Sequence, residues 1–205
     1  MKLIEYVSVN KTIKCISGVH IGASKDNIEI GGIDLPIIKH PLTGMPYIPG
    51  SSLKGKIRSL LELKYSSRTQ QTGDPCGCGD CKICKGFGAH RNSRSPLGPT
   101  RFIFRDSELT TEWKEKLISL QISKGTPTEI KHENTINRMN GIAKDPRPNE
   151  RIPSGTELDF SVTIRVFDGD KKEELIALLD EGMKLLEQDY IGGAGSRGSG
   201  QIKFV

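Results

Sequence analysis

The chain has 205 residues, 35% hydrophobic and 27% charged, which suits one domain carrying large insertions around a single core. A net charge of +5 leans toward a polyanionic partner, though with 25 acidic residues the chain is no polycation. There is no apolar run near the roughly 20 residues of a membrane span and no signal-peptide h-region, and four of the five cysteines crowd between Cys76 and Cys84. A disulfide framework would spread them out, so a cytoplasmic location with no membrane partner is expected.

In chain order, "LIEYVSVNKTIKCISGVHIG" has strand composition. Ile13, Cys15 and, after a slip, Val19 and Ile21 alternate with polar residues, and Cys15 is expected to be a core thiol. Residues 22–50 are broken by Gly and Pro but keep many Ile and Leu, which predicts a long ordered loop. "SSLKGKIRSLLELKY" reads as a helix with Leu53, Ile57, Leu60 and Leu61 on one face, capped by Ser51 or Ser52. Residues 66–99 read as an irregular insertion built around cysteines. "TRFIFRDSEL" is a short strand, and residues 112–153 are polar, Pro-broken and predict a projecting arm. "TELDFSVTIRVFDG" alternates as a strand, and "KKEELIALLDEGMKLLEQDY" is a helix with Leu175, Leu179, Met183, Leu186 and Tyr190 on one stripe. A glycine loop leads into the last strand, "QIKFV". The order β-α-β-β-α-β is ferredoxin-like, and RNA-recognition modules share it. The expected fold is therefore α+β, one RRM-like domain over 1–205 with insertions at 22–50, 66–99 and 112–153.

The loop "GGAGSRGSG" contains G-x-G-x-x-G at Gly193–Gly198. A dinucleotide-binding loop follows a strand and opens a helix. This one follows a helix and opens a strand, so the helix directs its negative end at the loop and the cofactor reading fails. Glycine still allows close backbone approach, successive N–H groups make an anion nest, and Arg197 adds a bidentate phosphate donor. A plain tight turn needs fewer glycines and no Arg. On the first helix, Lys54 and Arg58 share a face and Lys56 lies near the other border of the apolar stripe. A solvated cationic face is the usual fate of such residues, but beside the glycine loop they predict a polyanion groove, aided by the helix N-terminus.

The four cysteines, Cys76, Cys78, Cys81 and Cys84, suit tetrahedral structural zinc, with His90 as an alternative to one of the first pair and free thiols or an iron–sulfur cluster as the rival readings. Asp34, on the long loop, reads by itself as a turn residue, and His20 as structural. In the arm, Glu133, Asn134, Arg138 and Lys144 are polar candidates. Ile136 and Met139 suit a wedge between bases, or alternatively a subunit contact.

Three blocks, "IGGIDLPIIKHPLTGMPYIPGSSLKGKIRSLLE", "ENTINRMNGIAKDPRPNERIPSGTEL" and "YIGGAGSRGSGQI", closely resemble the RAMP superfamily of CRISPR proteins, and within it the repeating backbone subunit of type III-A Csm effector complexes. The resemblance runs nearly end to end. It implies an RRM-like core with a lid, a thumb and, in some members, a zinc-bound insertion. It also implies stacked copies of the chain, together with other Csm subunits, along a guide RNA, and target RNA cut at regular intervals. It places the catalytic aspartate at Asp34. It places guide-RNA contacts at His20, Ser52, Lys54, Lys56, Arg138 and the Gly193, Gly195, Ser196, Arg197 and Gly198 loop. Arg58 and Asn134 join these on their position and polarity. Asn137 and Met139-Asn140 depart from the family pattern around Arg138. An ordinary aspartate is a feeble base at neutral pH, so Mg²⁺ or another divalent ion is expected for cleavage. The rival readings are a guide-RNA scaffold without catalysis, with Glu133 and Asp106 as weaker acids, and a repeat-processing endoribonuclease using His40 or His20.

Overall fold

The structure, a computed structural model, describes residues 1–23, 35–65 and 72–205. Its elements are β1 (Leu3–Cys15), α1 (Gly50–Tyr65), α2 (Lys82–Phe87), β2 (Phe102–Phe104), α3 (Thr111–Lys124), β3 (Glu129–Ile136), β4 (Ala143–Arg151), β5 (Glu157–Phe167), α4 (Lys172–Gln188) and β6 (Ile202–Phe204).

Strand β5 sets the core. Leu158, Phe160, Val162, Ile164 and Val166 are all buried, and the residues between them face the other side of the sheet. β5 pairs antiparallel with β1, from Leu3 opposite Phe167 to Lys14 opposite Glu157, and its other edge takes β2. β6 pairs with the free edge of β1, giving the order β2-β5-β1-β6. Helix α1 links β1 to β2 and α4 links β5 to β6, so the α+β core has the ferredoxin-like order.

The two long helices run antiparallel. Lys56 bridges to Asp189 at 3.2 Å and, two turns on, Lys64 bridges to Glu181 at 2.8 Å. They pack closely because Gly182 has no side chain; a Cβ there would lie 2.4 Å from Ile57 Cγ2. Leu53, Ile57 and Leu61 are buried as expected, and so are Leu175, Leu179, Met183 and Leu186. Tyr190 lies beyond the end of α4 and is 36% exposed.

Three local expectations are corrected. The cysteine insertion contains a helix, α2, whose N-cap is Cys81. The polar arm is regular: α3 is followed by the hairpin β3–β4. Thr110 Oγ1 caps α3 by accepting from the Trp113 N–H, and left-handed Gly125 ends it. The arm conceals these elements because α3 buries only Leu117, and because Pro146 and Pro148 sit in β4, where a two-stranded ribbon has free edges to accept them. Finally, neither Ser51 nor Ser52 is the donor's partner at the start of α1. The Gly50 N–H donates to Asp106 Oδ1 at 2.7 Å.

Candidate nucleic-acid interface and metal centre

The outward face of the sheet carries Tyr6, Ser8, Asn10, Thr12 and Lys14 from β1 and Asp159, Ser161 and Thr163 from β5. It lacks the set of stacking aromatics with which RNA-recognition modules read bases on this face. Cationic side chains gather instead around the glycine loop, which the β3–β4 hairpin approaches on one side and the start of α1 on another.

The glycine loop is shaped by its neighbours. Gly192 and Gly200 have positive φ, and a Cβ on either would lie near 2 Å from a backbone oxygen: that of His20 in the first case, of Ile191 in the second. Gly195 packs against the Tyr190 ring, where a Cβ would fall 2.0 Å from Cγ. The Gly193 N–H donates to the His20 carbonyl at 2.8 Å. Gly198 takes a left-handed conformation with open space around it, closing a 3₁₀ turn over Gly195–Arg197. Much of the glycine content thus serves internal packing, which presents Ser196 and Arg197 at the surface.

Arg197 reaches the hairpin. Its Nε donates to Glu133 Oε2 at 2.7 Å, and its carbonyl accepts from Lys131 Nζ at 2.6 Å. Burial pushes the Glu133 carboxyl up, but Arg197 and Lys131 outweigh it and hold the group below its ordinary range. Between these residues lies a cleft of about 430 Å³, lined by Leu35, Asn134, Arg147 and Asn149 besides Lys131, Glu133 and Arg197. Arg197 and Asn134 are thereby brought together. Arg138 sits at the hairpin turn, where it donates to the Ile136 carbonyl at 2.6 Å beside Met139, which is 96% exposed.

The cations of α1 divide between two sides, because residues two apart in a helix point about 200° apart. Lys56 turns to the glycine loop, its Nζ 4.1 Å from the Tyr190 ring centroid. Lys54 has no acidic partner among the described residues. Burial, and then the like charges of Arg58 and Arg165, push its ammonium down. Arg58 faces the cysteine insertion: it donates to Glu62 Oε1 at 2.8 Å and to the Cys76 carbonyl at 2.7 Å. Two of the Arg58 donors are thus engaged in bracing the cysteine insertion against α1. Ser52 donates its N–H to the Pro49 carbonyl at 3.0 Å within the first turn.

Asp34 lies outside the described residues. The chain is described again from Leu35, which bridges to Asn149 in β4. There the main organiser is Glu150, a residue the sequence does not single out. It is fully buried, and its carboxylate accepts from the Ile37 N–H at 2.9 Å, Thr128 Oγ1 at 2.6 Å and Lys39 Nζ at 2.5 Å. Its own N–H donates to the Leu35 carbonyl at 3.2 Å, and its carbonyl takes His20 Nδ1 at 2.7 Å. One residue thus joins the returning loop, the hairpin base and the histidine. Burial raises the Glu150 carboxyl, and the hydrogen bonds from Lys39, Thr128 and Ile37 more than offset it, leaving the group below its ordinary range.

The sulfurs of Cys76, Cys78, Cys81 and Cys84 all lie within 4.8 Å of one another. Cys76 and Cys81 are 4.0 Å apart and Cys78 and Cys84 3.7 Å. A tetrahedron with metal–sulfur bonds of about 2.3 Å has edges of about 3.8 Å, so the four thiols fit one ion. Burial pushes the Cys78 thiol up to about 11, and a bound cation supplies the charge that thiolates require. The Cys84 N–H donates to Cys81 Sγ at 3.3 Å, and the Cys76 N–H to Glu62 at 2.9 Å. His90 lies outside the cluster and contributes its backbone N–H to the Cys76 carbonyl, at 3.1 Å.

Among the described residues no helix is long and apolar enough to cross a membrane. A model of the RAMP superfamily matches residues 12–203. A protein of Methanothermobacter thermautotrophicus named CRISPR system Cms endoribonuclease Csm3 is 46% identical over 94% of this chain and 80% of its own length. One of the same name from Methanocaldococcus jannaschii is 44% identical over 94% of this chain and 75% of its own. The solved Csm3–Csm4 subcomplex of the type III-A CRISPR-Cas interference complex contains a chain that superposes with a TM-score of 0.63 at 35% identity, covering 100% of this chain and 77% of that one.

Proposed function

The chain belongs to the RAMP superfamily, in its Csm3 group, and from that premise we propose that it is a repeating backbone subunit of a type III-A CRISPR effector complex, gripping guide RNA and cutting the target RNA paired to it. The observation that carries this reading is the cleft where Arg197 of the glycine loop meets Lys131, Asn134 and Arg147 of the hairpin, lined also by Leu35. Phosphates suit its cations, and on the side of α1 away from Lys56 the Lys54 ammonium, which has no acidic partner among the described residues, adds a further anion-seeking group. Ser196 and Gly195 supply hydroxyl and backbone donors, Gly193 and Gly198, whose own N–H groups are bonded to His20 and Gly195, leave room for a close approach of the RNA backbone, and His20 and Lys56 flank the same loop. Arg138 and exposed Met139 at the hairpin tip suit insertion between stacked nucleotides. Base pairing with the guide supplies sequence specificity, while the protein holds backbone and shape.

For cleavage, Asp34 is the catalytic residue in this reading. The target's own 2′-OH attacks the adjacent phosphorus in line, the P–O5′ bond breaks, the hydroxyl proton leaves to water and the 5′ oxygen takes one up. Asp34 would hold a divalent ion, which would supply charge neutralisation for the reaction. The four thiols of the cysteine cluster would hold structural zinc, whose binding energy would help fold an insertion with little core of its own.

In the reconstituted complex, Asp34→Ala is expected to abolish target cutting and leave guide binding intact. Loss of assembly would make Asp34 structural, and unchanged cutting would favour the scaffold reading. A 2′-deoxy substitution at the scissile nucleotide is expected to stop the reaction; continued cutting there would sink the 2′-OH nucleophile.

A further inference from the structure

Tyr190 stands on the apolar stripe of α4 by sequence, yet it is not a core residue. It lies just past the helix and is 36% exposed. Two of the groups assigned above to guide RNA rest on its ring. Lys56 Nζ, from α1, is 4.1 Å from the ring centroid and is also bridged to Asp189 at 3.2 Å. Gly195, from the glycine loop, lies so close that a Cβ would meet Cγ at 2.0 Å and both Cδ atoms at 2.2 Å. A flat ring with a glycine pressed on it leaves that loop backbone little freedom. A lysine held by an aromatic face and a carboxylate has lost much of the rotamer freedom that binding otherwise removes.

We propose that Tyr190 is a positioning residue: its ring fixes the Lys56 ammonium and the loop backbone at Gly195 relative to each other, so that guide RNA meets a preorganised pair of phosphate-binding groups. The gain lies in ordering already completed before RNA arrives. The proposal rests on the guide-binding reading of the loop and adds the residue that aligns its parts. The ring is required and the hydroxyl is not, since both contacts are made to the ring.

The test is binding of single-stranded guide RNA to the purified full chain across a range of salt concentrations. Tyr190→Leu is expected to weaken binding roughly three- to tenfold, the scale of a lost cation–π contact with some loop ordering. It is also expected to flatten the salt dependence by about 0.7, one single-strand phosphate. Tyr190→Phe is expected to match wild type. Lys56→Gln combined with Tyr190→Leu is expected to be less than additive, because both changes remove one coupled contact. Wild-type affinity and slope in Tyr190→Leu, a Phe variant as weak as Leu, or strict additivity would each overturn the proposal. Should Tyr190→Leu fail to fold, upfield ring-current shifts of the Lys56 side chain and Gly195 Hα in the wild-type chain decide the contact, and their absence refutes it. Arg197→Ala and Lys54→Ala separate the two levels. If they leave binding unchanged, the guide-binding reading has failed; if they weaken it and Tyr190→Leu does not, only the role of Tyr190 has.

Discussion

Glu150→Gln is the perturbation that most directly probes how the site is held. The substitution keeps the shape and removes the charge from a fully buried carboxylate that serves Lys39, Thr128 and the Ile37 N–H. It also turns one of the two accepting oxygens into a donor facing donors. Lys39 is one-third exposed and can swing to water, so its own desolvation is relieved. Thr128 Oγ1 and the Ile37 N–H lie inside, and one of them must lose its acceptor. Breaking a buried pair in this way costs about 3–5 kcal/mol, and the escape of Lys39 puts the expected loss near 3 kcal/mol. For a domain of this size that corresponds to a fall in Tm of about 6–12 °C. The pH dependence has a definite sign. The folded-state carboxyl is held below its ordinary value, so its stabilisation is fully present above the unfolded-state pKa, about 4.3. It is lost as pH falls through the lower folded value. Urea unfolding of both proteins from pH 7 down to pH 3 is the assay. The gap between wild type and variant is expected to be full at pH 7 and to narrow only below about 4.3. A gap under 1 kcal/mol at pH 7, or one that is constant down to pH 3, would refute the reasoning.

Three further outcomes are expected. Cys84→Ser is expected to lower the metal content of the purified chain and open residues 72–99 to limited proteolysis while leaving the β1–β5 core folded; full metal occupancy, or iron in place of zinc, would defeat the zinc assignment. Arg58→Met is expected to destabilise the chain by about 1–3 kcal/mol, because Glu62 and the Cys76 carbonyl lose a buried charged donor, while Lys54→Met weakens RNA binding with little change in stability. The reverse pattern in thermal melts and binding assays would show the two sides of α1 to be misassigned. Gly182→Ala is expected to cost about 1–2 kcal/mol in urea unfolding despite alanine's better helix propensity, since its Cβ must displace Ile57; a stabilised variant would mean that the helices can separate freely.

The periodic elements are legible in the chain because burial repeats at the spacing of the backbone. The alternation from Leu158 to Val166 and the stripe from Leu175 to Leu186 need no knowledge of their partners. The cysteine cluster is equally local, since four cysteines within nine residues can reach one ion whatever the rest of the fold does. Asp34 is different: the catalytic role proposed for it is unreadable from its neighbours and rests on family resemblance. Position across the fold is what the sequence leaves open. Helix α1 receives its cap from Asp106, 56 residues away, so the nearby serines mislead. Glu150 draws partners from positions 37, 39 and 128, and no local pattern announces such a hub. Helix α3 hides because almost none of it is buried. Residue spacing by itself thus determined the ferredoxin-like core, the cysteine centre and a cationic, glycine-rich loop. Only the tertiary structure decided which cations face that loop, because two steps along a helix send Lys56 toward Tyr190 and Arg58 toward the cysteines, and helical rotation has functional meaning only once the neighbours are in place.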